Sequence, residues 1–288
     1  MGSTLRLKFW GTRGLISSPH KDTAIYGGNT SCMQLLHKSE LIIIDTGFGV
    51  TNLGEVLMPR ILAGQESLTV HIFYTHFHWD HIQGLPFFHP IYFPTSTLNL
   101  YSPLSTEPMK ENLDLLFDGS YSPFAGVDSM PSQVNFITIK DSIEVSGLKI
   151  SYCPLDHGWH EATTYAYKFE DEKTGISLVV ASDHEARPSP INDQFIDFAN
   201  GCDLLVHDAQ YTEKEYKEFV GWGHSSMKQA LENSIKSRAK RTLLSHHDPK
   251  RTDKELKKAR KKYSQQVSYK NIDFDFAKES VIYNLIKK

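Results

Sequence analysis

Short apolar runs separated by polar turns occupy much of the chain and indicate a protein rich in β-strands. Nine runs, many of them β-branched or aromatic, have the length and composition of buried strands. They cover residues 7–10, 31–37, 41–45, 69–75, 148–155, 163–169, 176–181, 203–207 and 242–245.

Helical periodicity appears mainly late in the chain. Ser225 or Ser226 can cap a helix whose apolar residues share one face, and the letters TDKE from Thr252 to Glu255 form a capping box before a second helix. The apolar positions of the first helix are Met227, Ala230, Leu231 and Ile235. The mixture predicts strand layers with outer helices. No repeat or linker divides the sequence, so residues 1–288 are expected to form a single domain, with a lid near 89–131 where periodicity is weak.

Composition is that of an ordinary globular protein, with 288 residues of which 40% are hydrophobic. No apolar run approaches the ~18 residues that a membrane span needs, and no secretory leader is recognisable, so a cytoplasmic protein is expected.

The net charge of −3 gives no general affinity for polyanions. The basic stretches 236–241 and 250–263 predict a solvated helical face, and no stable nucleic-acid partner is expected. Cys32, Cys153 and Cys202 are too far apart for a CxxC pair and are expected in the core.

Several apolar runs end in residues that bind metals or carry protons. The run ends are marked by Asp45, His76, His157, Asp183, Asp208 and His246. Side chains at the carboxyl ends of neighbouring strands converge on one crevice. Six distant segments of the chain can therefore contribute to one site.

The densest group of such residues follows the run at 69–75. In the letters HFHWDH, His76 and His78 are two positions apart, so both can reach one ion in an extended chain. Asp80 and His81, after a tight bend, can face a second ion. Neutral imidazoles and carboxylates suit zinc or another first-row metal. The alternative is that these residues are solvated loop residues or hydrogen-bonded core histidines.

These residues resemble a known family, because THFHWDH is similar to the HxHxDH signature of the metallo-β-lactamase-fold hydrolases. The resemblance covers most of the chain and implies an α/β fold, a four-layer αββα sandwich. It also implies two divalent metal ions, zinc being expected and manganese remaining open. By the resemblance one ion takes His76, His78 and His157, the other takes Asp80, His81 and His246, and Asp183 bridges them. Asp45 would hold the metal loop through hydrogen bonds without binding metal.

A site with two cations implies a hydrolase in which a metal-bound hydroxide attacks the substrate. Two further segments, LLVHDAQYT with Asp208 and GWGHSS with His224, resemble paired motifs of ribonuclease Z-like phosphodiesterases. The resemblance implies catalytic roles for Asp80, Asp208 and His224, with His224 as the proton donor to the leaving oxygen. Alternatively, Asp208 merely ends a strand and His224 merely precedes a helix cap.

The expected substrate is a small phosphodiester, a cyclic nucleotide or cyclic phosphate. Ribonuclease Z grips transfer RNA with an arm between its third histidine and its bridging aspartate, whereas the interval here, 157–183, is nearly filled by a predicted hairpin. An RNA-processing nuclease, a thioesterase or lactonase, and a nucleotide-binding sensor are the alternatives, and a homodimer is left open. Five aromatic residues either contact the substrate or are ordinary packing of the lid, namely Phe93, Tyr101, Phe117, Tyr121 and Phe124. Thr12 and Arg13 either meet a phosphate or simply form a turn.

Overall fold

Two seven-stranded sheets pack face to face at the centre of the fold. The computed structural model describes residues 5–63, 67–120, 122, 124–159, 164–269 and 271–285. The strands are β1 (Leu5–Gly11), β2 (Cys32–His37), β3 (Glu40–Ile44), β4 (Leu68–Phe73), β5 (Ser96–Ser102), β6 (Gln133–Thr138), β7 (Ser142–Val145), β8 (Leu148–Leu155), β9 (Thr164–Asp171), β10 (Ser177–Ala181), β11 (Leu204–Asp208), β12 (Thr242–Ser245), β13 (Phe274–Phe276) and β14 (Ile282–Leu285). The helices are α1 (Val50–Leu62), α2 (Trp79–Ile82), α3 (Thr106–Asp114), α4 (Pro190–Phe198), α5 (Glu213–Tyr216), α6 (Met227–Lys236) and α7 (Asp253–Ser264).

Central strands are apolar on both faces because each sheet is covered on both sides. The first sheet runs β14-β1-β2-β3-β4-β5-β6, and the second runs β13-β12-β11-β10-β9-β8-β7. In β3, Ile42 and Ile44 lie in the core between the sheets, while Leu41 and Ile43 pack on the outer face. Successive side chains of a strand point to opposite faces, so a strand covered on both sides needs apolar residues throughout.

Helices cover the outer face of each sheet and complete four layers. Leu53 of α1 and Leu113 of α3 pack in the cluster outside the first sheet. Phe195 of α4, Leu231 of α6 and Leu256 of α7 pack in the clusters outside the second sheet. The predicted four-layer αββα sandwich is therefore confirmed.

All nine predicted strands are present, with ends that differ from the prediction by at most two residues. Five strands were not predicted: β5, β6, β7, β13 and β14. The last two are short, at three and four residues, and in both of them fully buried residues alternate with more exposed ones. Short strands with few apolar residues give too little periodicity to be separated from loops.

The segment 89–131, predicted as a lid, contributes in part to the body of the domain instead. Strand β5 lies within it and pairs in parallel with β4 on one side and β6 on the other. Tyr101 and Phe117 are buried in core clusters. These parts cannot move independently of the sheet. Closure of the remaining segment over a site stays a prediction.

The two predicted late helices are confirmed, and their capping residues are in place. Ser226 caps α6, where its hydroxyl accepts from the backbone N–H of Gln229, and Thr252 caps α7 in the same way with Glu255. One detail was wrong, because Ile235 is 44% exposed and does not share the buried face of α6. The lysines of α7 are exposed, and Lys262 there forms an ion pair with Glu213. Residues 237–241 lie outside the helices, so the prediction of a helical face was wrong there.

Two expectations from composition also have structural counterparts. Cys32, Cys153 and Cys202 are buried free thiols, as expected for small core residues. Among the described residues, no helix combines the length and hydropathy required to cross a bilayer.

Replacing Thr252 with alanine tests the capping box. The variant loses the bond from the Glu255 N–H to the Thr252 hydroxyl, 3.3 Å between N and O. We expect Thr252→Ala to lower the free energy of unfolding by about 1 kcal/mol, measured by urea titration followed by circular dichroism. Lys257→Ala, at an exposed position of the same helix, is the control and should leave stability nearly unchanged. Equal stability of both variants would contradict the capping role.

Candidate metal centre

The carboxyl ends of parallel strands bring the predicted site residues to one edge of the sandwich. β3 pairs in parallel with β4, and β10, β11 and β12 are mutually parallel neighbours. β8 runs in the same direction as β10, because β9 pairs antiparallel with both. The residues that these strand ends present are Asp45, His76, Asp183, Asp208, His246 and His157. The structure therefore brings all seven predicted metal ligands into one buried or half-buried cluster.

A first donor set consists of His76, His78, His157 and Asp183, whose ligand atoms lie within 4.8 Å of one another. Asp183 Oδ2 is 3.5 Å from His76 Nε2 and 3.8 Å from His157 Nε2. His157 Nε2 is also 3.1 Å from His78 Nδ1. Three imidazole nitrogens and one carboxylate oxygen thus surround one point.

A second donor set consists of Asp80, His81, Asp183 and His246. Asp183 Oδ1 is 3.0 Å from both His81 Nε2 and His246 Nε2. Asp80 Oδ2 is 3.2 Å from His246 Nε2. Asp183 therefore presents Oδ2 to the histidines of the first donor set and Oδ1 to those of the second.

Hydrogen bonds on the far side of the rings prepare these nitrogens to bind metal. His81 Nδ1 donates to Asp45 Oδ2 at 2.8 Å, and His157 Nδ1 donates to the Gly223 carbonyl at 2.9 Å. When the ring is neutral, each bond fixes the tautomer in which Nε2 carries the lone pair. His76 Nε2 and His81 Nε2 are buried and make no hydrogen bond of good angular geometry among the described residues, although oxygens of Asp183 lie 3.5 and 3.0 Å away. Such unpaired nitrogens beside carboxylates fit two divalent cations.

Burial and mutual proximity set the charges of the cluster. Burial alone would raise the pKa of Asp183, but the facing rings of His246 and His81 outweigh it and hold that pKa well below the usual range. Burial lowers the pKa of His157 to about 4 and the pKa of His76 well below its ordinary value. The carboxylate is therefore charged and these two rings are neutral at pH 7, the forms that coordinate a metal.

Backbone conformation turns the chain sharply at three residues of this cluster. Asp45, Asp183 and His246 have φ values of 58°, 52° and 58°. Non-glycine residues rarely adopt this left-handed region, which costs of order 1–3 kcal/mol each. Each of the three follows a strand within two residues, so the turn redirects its side chain into the cluster.

Asp208 and His224 form a hydrogen-bonded pair next to the two donor sets. His224 Nδ1 donates to Asp208 Oδ2 at 2.7 Å, and Asp208 Oδ1 accepts from the Ser225 and Gln210 N–H groups at 3.1 and 3.2 Å. Burial favours a neutral ring, but the carboxylate of Asp208 outweighs it and raises the pKa of His224 to about 9. The His224 ring stacks on that of His246, with 4.9 Å between centroids. Asp208 thus fixes the orientation of a ring that borders the cluster.

A cavity of about 580 Å³ opens onto the cluster. Three histidines form one part of its lining, His78, His157 and His224. Hydrophobic side chains form another part, namely Leu15, Ile16, Tyr211, Phe219 and Trp222. Its volume lies within the ~300–1,000 Å³ of pockets that enclose small molecules.

The four described aromatic residues that were considered for substrate contact do not line this cavity. Tyr101 and Phe117 are core residues, Phe93 and Phe124 pack against the core, and Tyr121 lies outside the described residues. Of the two alternatives, ordinary packing is therefore the one observed for the four described aromatic residues. Aromatic composition alone does not distinguish a binding wall from ordinary packing.

The proposed phosphate donors of the N-terminal loop are structural as well. Arg13 is completely buried and donates to the carbonyls of Gly27, Asp248 and Arg251 at 2.7, 3.0 and 2.6 Å. Thr12 donates its hydroxyl hydrogen to the Tyr26 carbonyl. Of the two alternatives, a phosphate contact or a structural turn, the turn is therefore the one observed.

Neighbouring histidines that could be mistaken for ligands have other partners. His184 Nε2 donates to Asn192 Oδ1 at 2.8 Å, and His247 Nε2 donates to the Ala277 carbonyl at 3.1 Å. His71 lies in β4 and bonds to the Tyr101 hydroxyl. His160 is outside the described residues. The three described histidines are held within the scaffold.

Sequence reasoning missed two side chains that support the site. Gln210 Oε1 accepts from His246 Nδ1 at 3.1 Å. Glu185, completely buried, accepts from the N–H groups of Gly221 and Gly223 at 2.8 and 3.0 Å. The signal for Glu185 was its position two residues after Asp183, in the segment ASDHEARP that follows a buried strand.

Comparison with known proteins identifies the class. Residues 40–247 match the model of the family described as Beta-lactamase superfamily domain. Because the match spans more than half of the chain, the protein belongs to this family. The resemblance to metallo-β-lactamase-fold hydrolases is thereby confirmed, and a hydrolase with a metal site is the class that the fold defines.

Individual relatives place the chain within that class. The ribonuclease Z of Pyrococcus horikoshii is 23% identical over 292 residues, which cover 86% of this chain and 88% of that protein. The metallo-beta-lactamase fold protein YhfI from Bacillus subtilis superposes with a TM-score of 0.68 at 15% identity, over 98% of this chain and 99% of that one. A diphosphatase from the PhnP family gives 0.65 at 18% identity over 97% of both chains. The chain is thus similar over most of its length to a ribonuclease Z, and its fold is similar to that of a diphosphatase of the PhnP family.

The bond between Asp45 and His81 generates a prediction about metal affinity. Asp45→Asn keeps the shape of the side chain but weakens the acceptor that orients His81. We expect metal affinity to fall by about 10- to 100-fold, measured by equilibrium dialysis with elemental analysis. The control is Asp203→Asn, which alters a buried carboxylate that accepts from the N–H of Ser177 at the start of β10, and this variant should bind metal normally. Unchanged affinity in Asp45→Asn would show that the bond does not prepare His81.

Proposed function

We propose that this protein is a dinuclear metal-dependent phosphodiesterase that hydrolyses a small cyclic nucleotide or cyclic phosphate. The observation that carries the proposal is the Asp208–His224 pair, 2.7 Å between Nδ1 and Oδ2, directly beside two metal-binding donor sets. The donor sets explain hydrolysis in general. The pair supports a reaction whose leaving group needs a proton.

The residues assigned to the two ions follow the donor sets. Zinc is the expected metal, with manganese as the alternative, because both accept nitrogen and carboxylate oxygen. One ion takes His76, His78 and His157, the other takes Asp80, His81 and His246, and Asp183 lies between them. Two bound cations would lower the pKa of a water and offset negative charge on a phosphoryl oxygen. The carboxylate of Asp80, assigned as a ligand of the second ion, is held in place by the Leu15 N–H, which donates to its Oδ2 at 2.8 Å.

His224 is assigned the role of proton donor. Its Nδ1 is occupied by Asp208, so Nε2 is the nitrogen that can carry a proton to the departing oxygen. A phosphodiester expels an alkoxide, which is a poor leaving group, and a positioned acid accelerates such a step by about 10²–10⁴-fold. A thioester expels a thiolate, which has less use for this proton, so the pair favours a phosphodiester over a thioester.

The short chain interval between His157 and Asp183 supports a small substrate. The interval 157–183 holds the β9–β10 hairpin in its described part, and only residues 160–163 lie outside that part. An arm that grips RNA does not fit there. An RNA-processing nuclease remains the second candidate, because the curated relatives that match most of the chain carry the name ribonuclease Z.

A substrate screen separates these functions. The purified protein, loaded with zinc or with manganese, is offered cyclic mono- and dinucleotides, phosphoribosyl cyclic phosphate, acyl thioesters and a precursor transfer RNA. We expect turnover of at least one small cyclic phosphodiester and loss of that turnover after chelation. Cleavage of the precursor RNA alone would favour the nuclease, thioester turnover alone the thioesterase, and recovery of intact bound nucleotide a sensor.

Replacing His224 tests its assigned role as an acid. We expect His224→Ala to retain both metals yet lose about 10²–10⁴-fold in kcat on an alkyl phosphodiester, with a far smaller loss on a p-nitrophenyl ester. The reason is that p-nitrophenolate leaves without needing a proton. His89→Ala, a half-buried histidine outside the cluster, is the control and should behave as wild type on both esters. Equal losses on the two esters would remove His224 from this role.

A further inference from the structure

Three aromatic side chains form a continuous wall on one side of the cavity. Tyr211 and Phe219 stack with 5.0 Å between centroids and 15° between planes. Trp222 meets Phe219 edge to face at 5.4 Å. Tyr211 is 4% exposed and supports the wall from within, whereas Trp222 is 58% exposed and offers its surface to the cavity.

The loop that carries Trp222 is fixed on both sides of it. Gly221 and Gly223 both have a φ of 87°, a conformation that suits glycine. Their N–H groups donate to the two oxygens of Glu185, which is completely buried. A charged side chain removed from water in this way must be compensated by such bonds. Trp222 is therefore an exposed indole on a rigid loop.

We infer that Trp222 is the surface on which the nucleobase of the substrate stacks, while the phosphate lies at the His224 end of the same cavity. The inference rests on the proposed function and names its substrate class: a phosphodiester that carries a flat heterocycle. Trp222 and His224 are separated by one residue and both line the cavity, so one loop contacts both parts of such a molecule.

The lining favours one flat ring over the other candidate ligands. A tract of RNA requires several aromatic platforms along a groove with many cationic side chains. Among the described residues that line this cavity, Lys250 carries the sole Lys or Arg charge. A phosphoribosyl group without a base would leave the indole uncovered. A flexible acyl chain would gain apolar contact there but no stacking.

Binding of two probes tests the inference without any turnover. Adenosine 5′-monophosphate carries the base, and ribose 5-phosphate is the same molecule without it. Calorimetry on the metal-loaded protein compares Trp222→Ala, Trp222→Leu and Trp222→Phe with wild type. We expect the first two variants to bind adenosine 5′-monophosphate roughly 5- to 150-fold more weakly, the range for loss of one base–aromatic stack. Trp222→Phe should retain most of the affinity, and all three variants should bind ribose 5-phosphate as wild type does.

Controls keep this test separate from the test of the proposed function. Phe87→Ala removes another exposed aromatic side chain, which does not line the cavity, and should bind both probes normally. Equal weakening of both probes in Trp222→Ala, or full retention of nucleotide affinity, would overturn the stacking role. Wild-type affinity in Trp222→Leu would assign Trp222 a merely apolar role and would also overturn it. Failure of the wild type to cleave any phosphodiester would instead refute the proposed function, since the two probes require no cleavage.

Discussion

The buried carboxylate of Asp183 is the constraint on which the rest of the site depends. It has almost no exposure to solvent, and its two oxygens face nitrogens of both donor sets at 3.0 to 3.8 Å. A carboxylate withdrawn from water is tolerated only when opposite charge or hydrogen-bond donors surround it. The histidines around Asp183 and the cations they can hold supply that compensation. The same contacts force both sets to share one residue and therefore one crevice.

The fold makes this sharing feasible because it aligns strand ends that are distant in sequence. The two sheets pack through a core of apolar residues from their facing sides. This packing fixes the relative positions of the six strand ends after which the site residues lie. Strained turns at Asp45, Asp183 and His246 lie directly after these rigid strands. The packing of the strands stabilises conformations that a free loop would not adopt.

Much of this architecture is readable from sequence, and the exceptions have physical reasons. The buried strands and the HFHWDH group are local patterns, so both were predicted. Strand β5 was missed because polar residues interrupt it, although both of its edges are paired. The wall of Tyr211, Phe219 and Trp222 was missed because those residues approach each other through loop geometry, which no periodicity reports. For Arg13, a phosphate contact and a simple turn both remained open, because the sequence does not show which carbonyls accept from its buried guanidinium.

Two buried carboxylates divide the task of placing the loop at 221–224. Glu185 holds its backbone through Gly221 and Gly223, while Asp208 holds the ring of His224. The Gly223 carbonyl in turn accepts from His157, so the same loop also orients a residue of the first donor set. Because the loop backbone, the His224 ring and the His157 ring are joined by hydrogen bonds, a shift of this loop would disturb all three together. This coupling explains why a protein would bury two acidic side chains behind a loop of four residues.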